Sequence, residues 1–137
     1  MSTIEGLSHM TFIVRDLDHM EKLLTTVLGA RKVYDSGSET FSLSRERFFL
    51  VGSVWIAAME GEPLPTRTYN HVAFKIDDKD YEDRLARVRS IGLELRESRP
   101  RVEGEGRSIY FYDDDNHLFE LHTGTLDERL PATAGAR

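Results

Sequence analysis

At 137 residues, 39% hydrophobic and 31% charged, the chain has room for one domain or two small fused modules and the balance of a soluble protein. The lack of cysteine excludes disulfides, thiolate metal sites, a cysteine nucleophile and iron–sulfur clusters, and it fits a reducing cytoplasm. A net charge of -6 argues against nonspecific nucleic-acid binding, and the apolar runs are too short to form a secretory leader or to span a membrane.

The chain repeats weakly. Leu7-Ser8-His9-Met10-Thr11-Phe12-Ile13-Val14 can be laid on Tyr69-Asn70-His71-Val72-Ala73-Phe74-Lys75-Ile76, so that His9 meets His71 and Phe12 meets Phe74. Both stretches alternate like strands and are followed by helix-capping acids, Asp16 or Asp18 and then Asp77 or Asp78. Leu17, Met20, Leu23, Leu24, Val27 and Leu28 recur at helical spacing, as do Tyr81, Leu85, Val88 and Ile91. Gly29 and Gly92 stand where a helix ends in the left-handed conformation. Strands are then expected at Thr40–Leu43, Arg47–Val51 and Val54–Met59, and again at Leu93–Arg96, Ser108–Tyr112 and Leu118–His122.

The pattern predicts an α+β fold of two βαβββ modules, residues 4–62 and 66–124, joined by a Gly/Pro linker. Residues 131–137 read as a frayed tail. A module of about sixty residues is small for covering both faces of its sheet, so the two are expected to share a central cavity. His9 and His71 would point toward that cavity from equivalent strands. Glu120 lies between the apolar residues Phe119 and Leu121, on the opposite face of its strand. A carboxylate buried there needs a partner. Two imidazoles and a carboxylate suit Mn, Fe, Co, Ni or Zn with open positions left for substrate. Taken singly, a strand histidine is more often structural and a glutamate more often solvent-facing; it is the pair of equivalent histidines with the glutamate that points to a metal.

Taken together, Gly6-Leu7-Ser8-His9-Met10-Thr11-Phe12, Tyr69-Asn70-His71-Val72-Ala73-Phe74, the run from Glu103 to His117, and Glu120-Leu121-His122-Thr123-Gly124 resemble the vicinal oxygen chelate superfamily. Within it, the chain resembles the fosfomycin resistance proteins of the FosX type, from Ile4 to about Leu130. The resemblance implies that His9, His71 and Glu120 bind a metal, usually Mn2+. It also implies a domain-exchanged homodimer whose sites draw ligands from both chains.

The expected activity is hydrolysis of the fosfomycin epoxide by water attack at C1, giving a diol. Glu46 is the implied general base, although composition alone reads it as a surface glutamate in a hairpin. Thr11 and Tyr110 match positions that line the family's active site, and Arg129 matches a phosphonate contact. Arg99 and Arg101 are weaker candidates from the arginine cluster around the Glu103–Arg107 loop, whereas Arg96 reads as a solvated edge. Tyr69 and Trp55 are expected to shape the pocket. His122 shares a strand face with Glu120, which allows it a supporting role. His19 and His117 read as solvent-facing and turn residues. The rival readings are a thiol transferase acting on the same drug with glutathione or a similar thiol, a dioxygenase or isomerase, and a metal-free drug-sequestering dimer.

Overall fold

The computed structural model describes residues 2–97 and 105–135, with side chains as far as residue 131. The chain divides into two compact units, Met1–Leu64 and Pro65–Arg137. The first contains β1 (His9–Val14), α1 (Leu17–Leu28), β2 (Arg31–Asp35), β3 (Glu46–Val51) and β4 (Val54–Glu60). Its sheet order is β1-β4-β3-β2, with β1 parallel to β4 and the other pairs antiparallel. The second unit repeats the plan with β5 (His71–Lys75), α2 (Tyr81–Ser90), β6 (Glu94–Arg96), β7 (Ser108–Tyr112) and β8 (Leu118–His122), in the order β5-β8-β7-β6. A terminal helix, α3, spans Leu126–Gly135.

Local chemistry sets the helix ends. The Asp16 carboxylate accepts a hydrogen bond from the His19 backbone N–H (3.1 Å) and opens α1; Gly29, at φ 66°, closes it. Leu17, Met20, Leu23, Leu24, Val27 and Leu28 are all buried, as the spacing requires. Burying each such side chain contributes roughly 1.5–3 kcal/mol, so this face anchors the helix. The helix packs on β3 and β4. Phe49, Ile56, Ala58, Phe12 and Val14 form the buried face of the sheet. In the second unit Ile109, Phe111, Phe119 and Leu121 are the buried alternates, and Phe111 stacks on Phe119 at 5.4 Å.

The remaining alternates make a second face on each sheet. In the first unit, register places His9 beside Trp55 and Leu50, Thr11 beside Ala57 and Phe48, and Ile13 beside Met59 and Glu46. In the second, Ala73, Glu120 and Tyr110 share one row, and Lys75, His122 and Ser108 the next. Directly paired residues point the same way, so each unit collects its candidate residues on a single face.

One expectation is corrected. Thr40–Leu43 forms no strand: Phe41 and Leu43 lie exposed in the loop before β3, and the missing strand is Arg31–Asp35. That segment is a largely polar edge strand with a register shift between Lys32 and Tyr34, which breaks the period-two signal. Of the expected tail 131–137, residues 131–135 belong to α3 and residues 136–137 lie outside the described residues. Thr125 starts α3 by accepting from the Glu128 backbone N–H (3.2 Å) and donating to the Glu128 carboxylate (2.9 Å). Pro131 forfeits one backbone donor, and the capped helix continues past it. Among the described residues no helix is long and apolar enough to cross a membrane.

Candidate active site

The second unit brings His71 and Glu120 together. They stand on the adjacent parallel strands β5 and β8, with His71 Nε2 3.0 Å from Glu120 Oε1. The His71 Nδ1 lies 2.7 Å from the Tyr69 carbonyl oxygen, which can only accept, so Nδ1 carries the proton. In the neutral ring Nε2 then turns a lone pair toward a carboxylate oxygen. Two acceptors at that distance need a shared proton or a cation between them. Glu120 is 6% exposed, which makes a bare charge costly and a metal an apt partner.

His9 lies on the open face of the first unit. Its ring stacks on Trp55 at 4.2 Å, and Nδ1 meets Ser8 Oγ at 2.9 Å, so Nε2 is the nitrogen that could coordinate a metal. Trp55 presents a buried indole N–H with no acceptor among the described residues. Thr11, two residues on from His9, is exposed on the same face. Among the described residues of one chain, no three ligand side chains already gather at one point.

Glu46 is not the surface residue that composition implies. It begins β3 on the face that carries His9 and Thr11, and it is 8% exposed. Its backbone is fixed on both sides: its N–H donates to Ser36 Oγ and its carbonyl accepts from the Ser36 N–H, each at 3.0 Å. The neighbouring Arg45 turns to Glu60, and that hydrogen bond holds the Glu60 carboxyl below its usual range. Among the described residues the Glu46 carboxylate has no hydrogen-bond or ion-pair partner. A carboxylate on a largely buried residue, with no protein donor among the described residues, is a candidate for a chemical role.

A cavity of ≈ 290 Å³ in the second unit is lined by Tyr69, His71, Ala73, Tyr110, Glu120, His122 and Arg129. The Tyr69 and Tyr110 hydroxyls lie 3.0 Å apart, and the Tyr110 ring stands edge-on to His71 at 5.5 Å. Arg129 reaches the cavity from α3, its Nη1 3.1 Å from Oε1 of Glu105, which is 1% exposed. A guanidinium carries five N–H donors in a planar fork, a geometry suited to an oxyanion. Arg99 and Arg101 lie outside the described residues. Arg96 is exposed on the edge strand β6, in keeping with a solvated edge; its guanidinium lies over the Tyr69 ring at 5.0 Å and donates to the Tyr112 hydroxyl at 3.0 Å.

Sequence reasoning missed Glu105 and Ser108. Ser108 Oγ is 2.5 Å from Glu120 Oε2 and 2.7 Å from His122 Nδ1. Only the β7–β8 register, which sets Ser108 opposite His122, carries that signal. The loop holding Glu105 seats on the end of β8 through two glycines. A Cβ on Gly124 would stand 2.6 Å from the Glu105 carbonyl oxygen and 2.8 Å from His122 Nε2. Gly124→Ala is therefore expected to cost about 1–3 kcal/mol in urea unfolding, because a backbone carbonyl must move.

Each of the two βαβββ units thus carries a strand histidine ready to coordinate through Nε2, and the second adds a buried carboxylate. That donor set suits a divalent metal, beside a cavity of ≈ 290 Å³. The sequence pattern of the Glyoxalase/Bleomycin resistance protein/Dioxygenase superfamily matches residues 6–121. A fosfomycin resistance protein FosX from Mesorhizobium japonicum is 66% identical over 96% of this chain and 94% of its own length. A crystal structure of a glutamate-to-glutamine variant of Listeria monocytogenes FosX, complexed with Mn(II) and 1S,2S-dihydroxypropylphosphonic acid, is 50% identical, with a TM-score of 0.86 over 93% of this chain and 97% of that one. A metallothiol transferase FosB from Staphylococcus saprophyticus is 30% identical over 93% of this chain and 82% of its own length. The chain belongs to the glyoxalase/bleomycin resistance/dioxygenase superfamily and, within it, to the FosX fosfomycin resistance proteins.

Proposed function

We propose that this protein inactivates fosfomycin, a small epoxide bearing a phosphonate, by Mn2+-dependent addition of water. The observation that carries the reading is Glu46: a carboxylate on a largely buried residue, with no protein partner among the described residues, on the face that also bears His9 and Thr11. The FosX relatives, one of them holding Mn(II) and a diol phosphonate, support the same substrate and product.

His9, His71 and Glu120 would hold the metal. When bound, it supplies Lewis-acid stabilisation of the negative charge that develops on the epoxide oxygen. Glu46 takes a proton from water as the water oxygen bonds to C1, the carbon next to phosphorus. The C1–O bond of the ring breaks, and the ring oxygen stays on C2 and takes a proton from solvent, to which Glu46 returns its own, giving the diol. A carboxylate can serve as base here because water becomes far more acidic as it bonds to carbon. Arg129, steadied by Glu105, offers N–H donors to the phosphonate. The Tyr110 hydroxyl, partnered by Tyr69, and the Thr11 hydroxyl donate to substrate oxygens. Trp55 walls the pocket beside His9.

The working form would be a domain-exchanged homodimer, in which the His9 face of one chain completes the His71–Glu120 site of the other. The split of the ligands between two units is in keeping with this. A cysteine-free chain of net charge -6 fits a cytoplasmic enzyme that binds neither membrane nor nucleic acid. Turnover in heavy-oxygen water tests the chemistry: mass spectrometry is expected to find one labelled oxygen in the diol. Loss of fosfomycin only when glutathione or another thiol is added, as a thioether adduct, would contradict hydrolysis and favour the chemistry named for the metallothiol transferase.

A further inference from the structure

The two oxygens of Glu120 face different partners. Oε1 lies 3.0 Å from His71 Nε2. Oε2 lies 2.5 Å from Ser108 Oγ and 3.3 Å from His122 Nδ1, and those two groups are themselves 2.7 Å apart. Ser108 is 4% exposed and Glu120 6%, so these contacts are sheltered from water. The β7–β8 register explains how they meet. Ser108 pairs with His122 and Tyr110 with Glu120, so Ser108 reaches Glu120 along the diagonal of one sheet face.

Hydrogen-bond chemistry gives the array one direction. An ionised carboxylate only accepts, so the Ser108 proton goes to Oε2. The serine oxygen then accepts from the Nδ1–H of His122. From these contacts we propose that Ser108 and His122 are positioning residues for the metal carboxylate: they pin Oε2 so that Oε1 is presented to the same point as His71 Nε2. A glutamate on a strand has three side-chain torsions to fix, and ordering them before the metal arrives lowers the cost of binding it. A serine fits because a short hydroxyl can bridge the neighbouring strand without filling the cavity. This inference rests on the metal-site reading above, and it concerns metal affinity in the absence of substrate.

The test is Mn2+ titration of the metal-stripped full-length protein, with free Mn2+ followed by electron paramagnetic resonance and no fosfomycin present. Ser108→Ala is expected to weaken Mn2+ binding about 10–100-fold, the usual worth of an outer-shell partner. Ser108→Thr, which keeps the hydroxyl, is expected to return it to within about threefold of the parent. His122→Gln, at a half-buried position, is the second variant should Ser108→Ala fold poorly, and it is expected to weaken binding by roughly tenfold. Folded Ser108→Ala or His122→Gln protein that binds Mn2+ within twofold of the parent would overturn the inference and leave the metal site standing. Parent protein that binds no Mn2+ would overturn both. A Ser108→Thr protein as weak as Ser108→Ala would also count against the hydroxyl as the positioning group.

Discussion

Glu46→Gln is expected to lower kcat for diol formation by about 10²–10⁴-fold, the usual worth of a positioned general base. The change keeps the shape of the side chain and removes only its capacity to take a proton. Both hydrogen bonds that fix this position, from the Glu46 N–H to Ser36 Oγ and from the Ser36 N–H to the Glu46 carbonyl, are made by the backbone of residue 46 and survive. An amide is also cheaper to bury than a carboxylate, so the variant is expected to be at least as stable as the parent in urea. Mn2+ affinity is expected to change by less than about twofold, because Glu46 begins β3, two strands away from β1 and His9. Steady-state kinetics by phosphorus NMR, with Mn2+ binding measured alongside, checks both quantities. Parental kcat in Glu46→Gln would assign the base to another group.

The second large effect is expected at the metal. His71→Ala removes a nitrogen whose tautomer is set by the Tyr69 carbonyl and whose Nε2 faces Glu120. Loss of a ligand is expected to exceed the roughly 10–100-fold that outer partners are worth, abolishing Mn2+-dependent turnover at micromolar metal. Thermal unfolding provides a readout independent of catalysis. Saturating Mn2+, at about a hundred times Kd, stabilises a binding-competent protein by about 2.7 kcal/mol, and that increment is expected to vanish in His71→Ala. The metal-free variant is expected to fold and to stay within about 1–2 kcal/mol of the metal-free parent, since the His71 side chain is partly exposed and gives up one hydrogen bond and its ring contacts. A Mn2+-induced rise in Tm equal to the parent's would contradict the ligand assignment.

Much of the fold is legible in the sequence because its signals are local. The alternation around His9 and His71, the six apolar positions of α1, and Gly29 at the helix end each follow from one stretch of chain. Two features are not local. The edge strand Arg31–Asp35 is largely polar and irregular, so it acquires strand character only through its pairing with β3. The exposed Phe41 and Leu43 mimic a strand that has no partner. In the site, the strand-borne candidates could be placed by period alone. His9 and Thr11 share a face because they are two residues apart, and Glu120 opposes Phe119 and Leu121.

The supporting groups follow from register instead. Ser108 matters because β7 slides it opposite His122, and Glu105 because its loop seats on Gly124. Glu46 lies between these cases. Its side of the strand is readable from the alternation with Phe48, but its burial, with no partner among the described residues, follows from how β3 is covered.

The most direct test is to strip the purified protein of metal and incubate it with fosfomycin in the absence of any thiol, with and without added Mn2+, following the products by phosphorus NMR. A diol that forms only when Mn2+ is present is the expected result. No diol under either condition, with conversion appearing only after a thiol is supplied, would contradict metal-dependent hydrolysis.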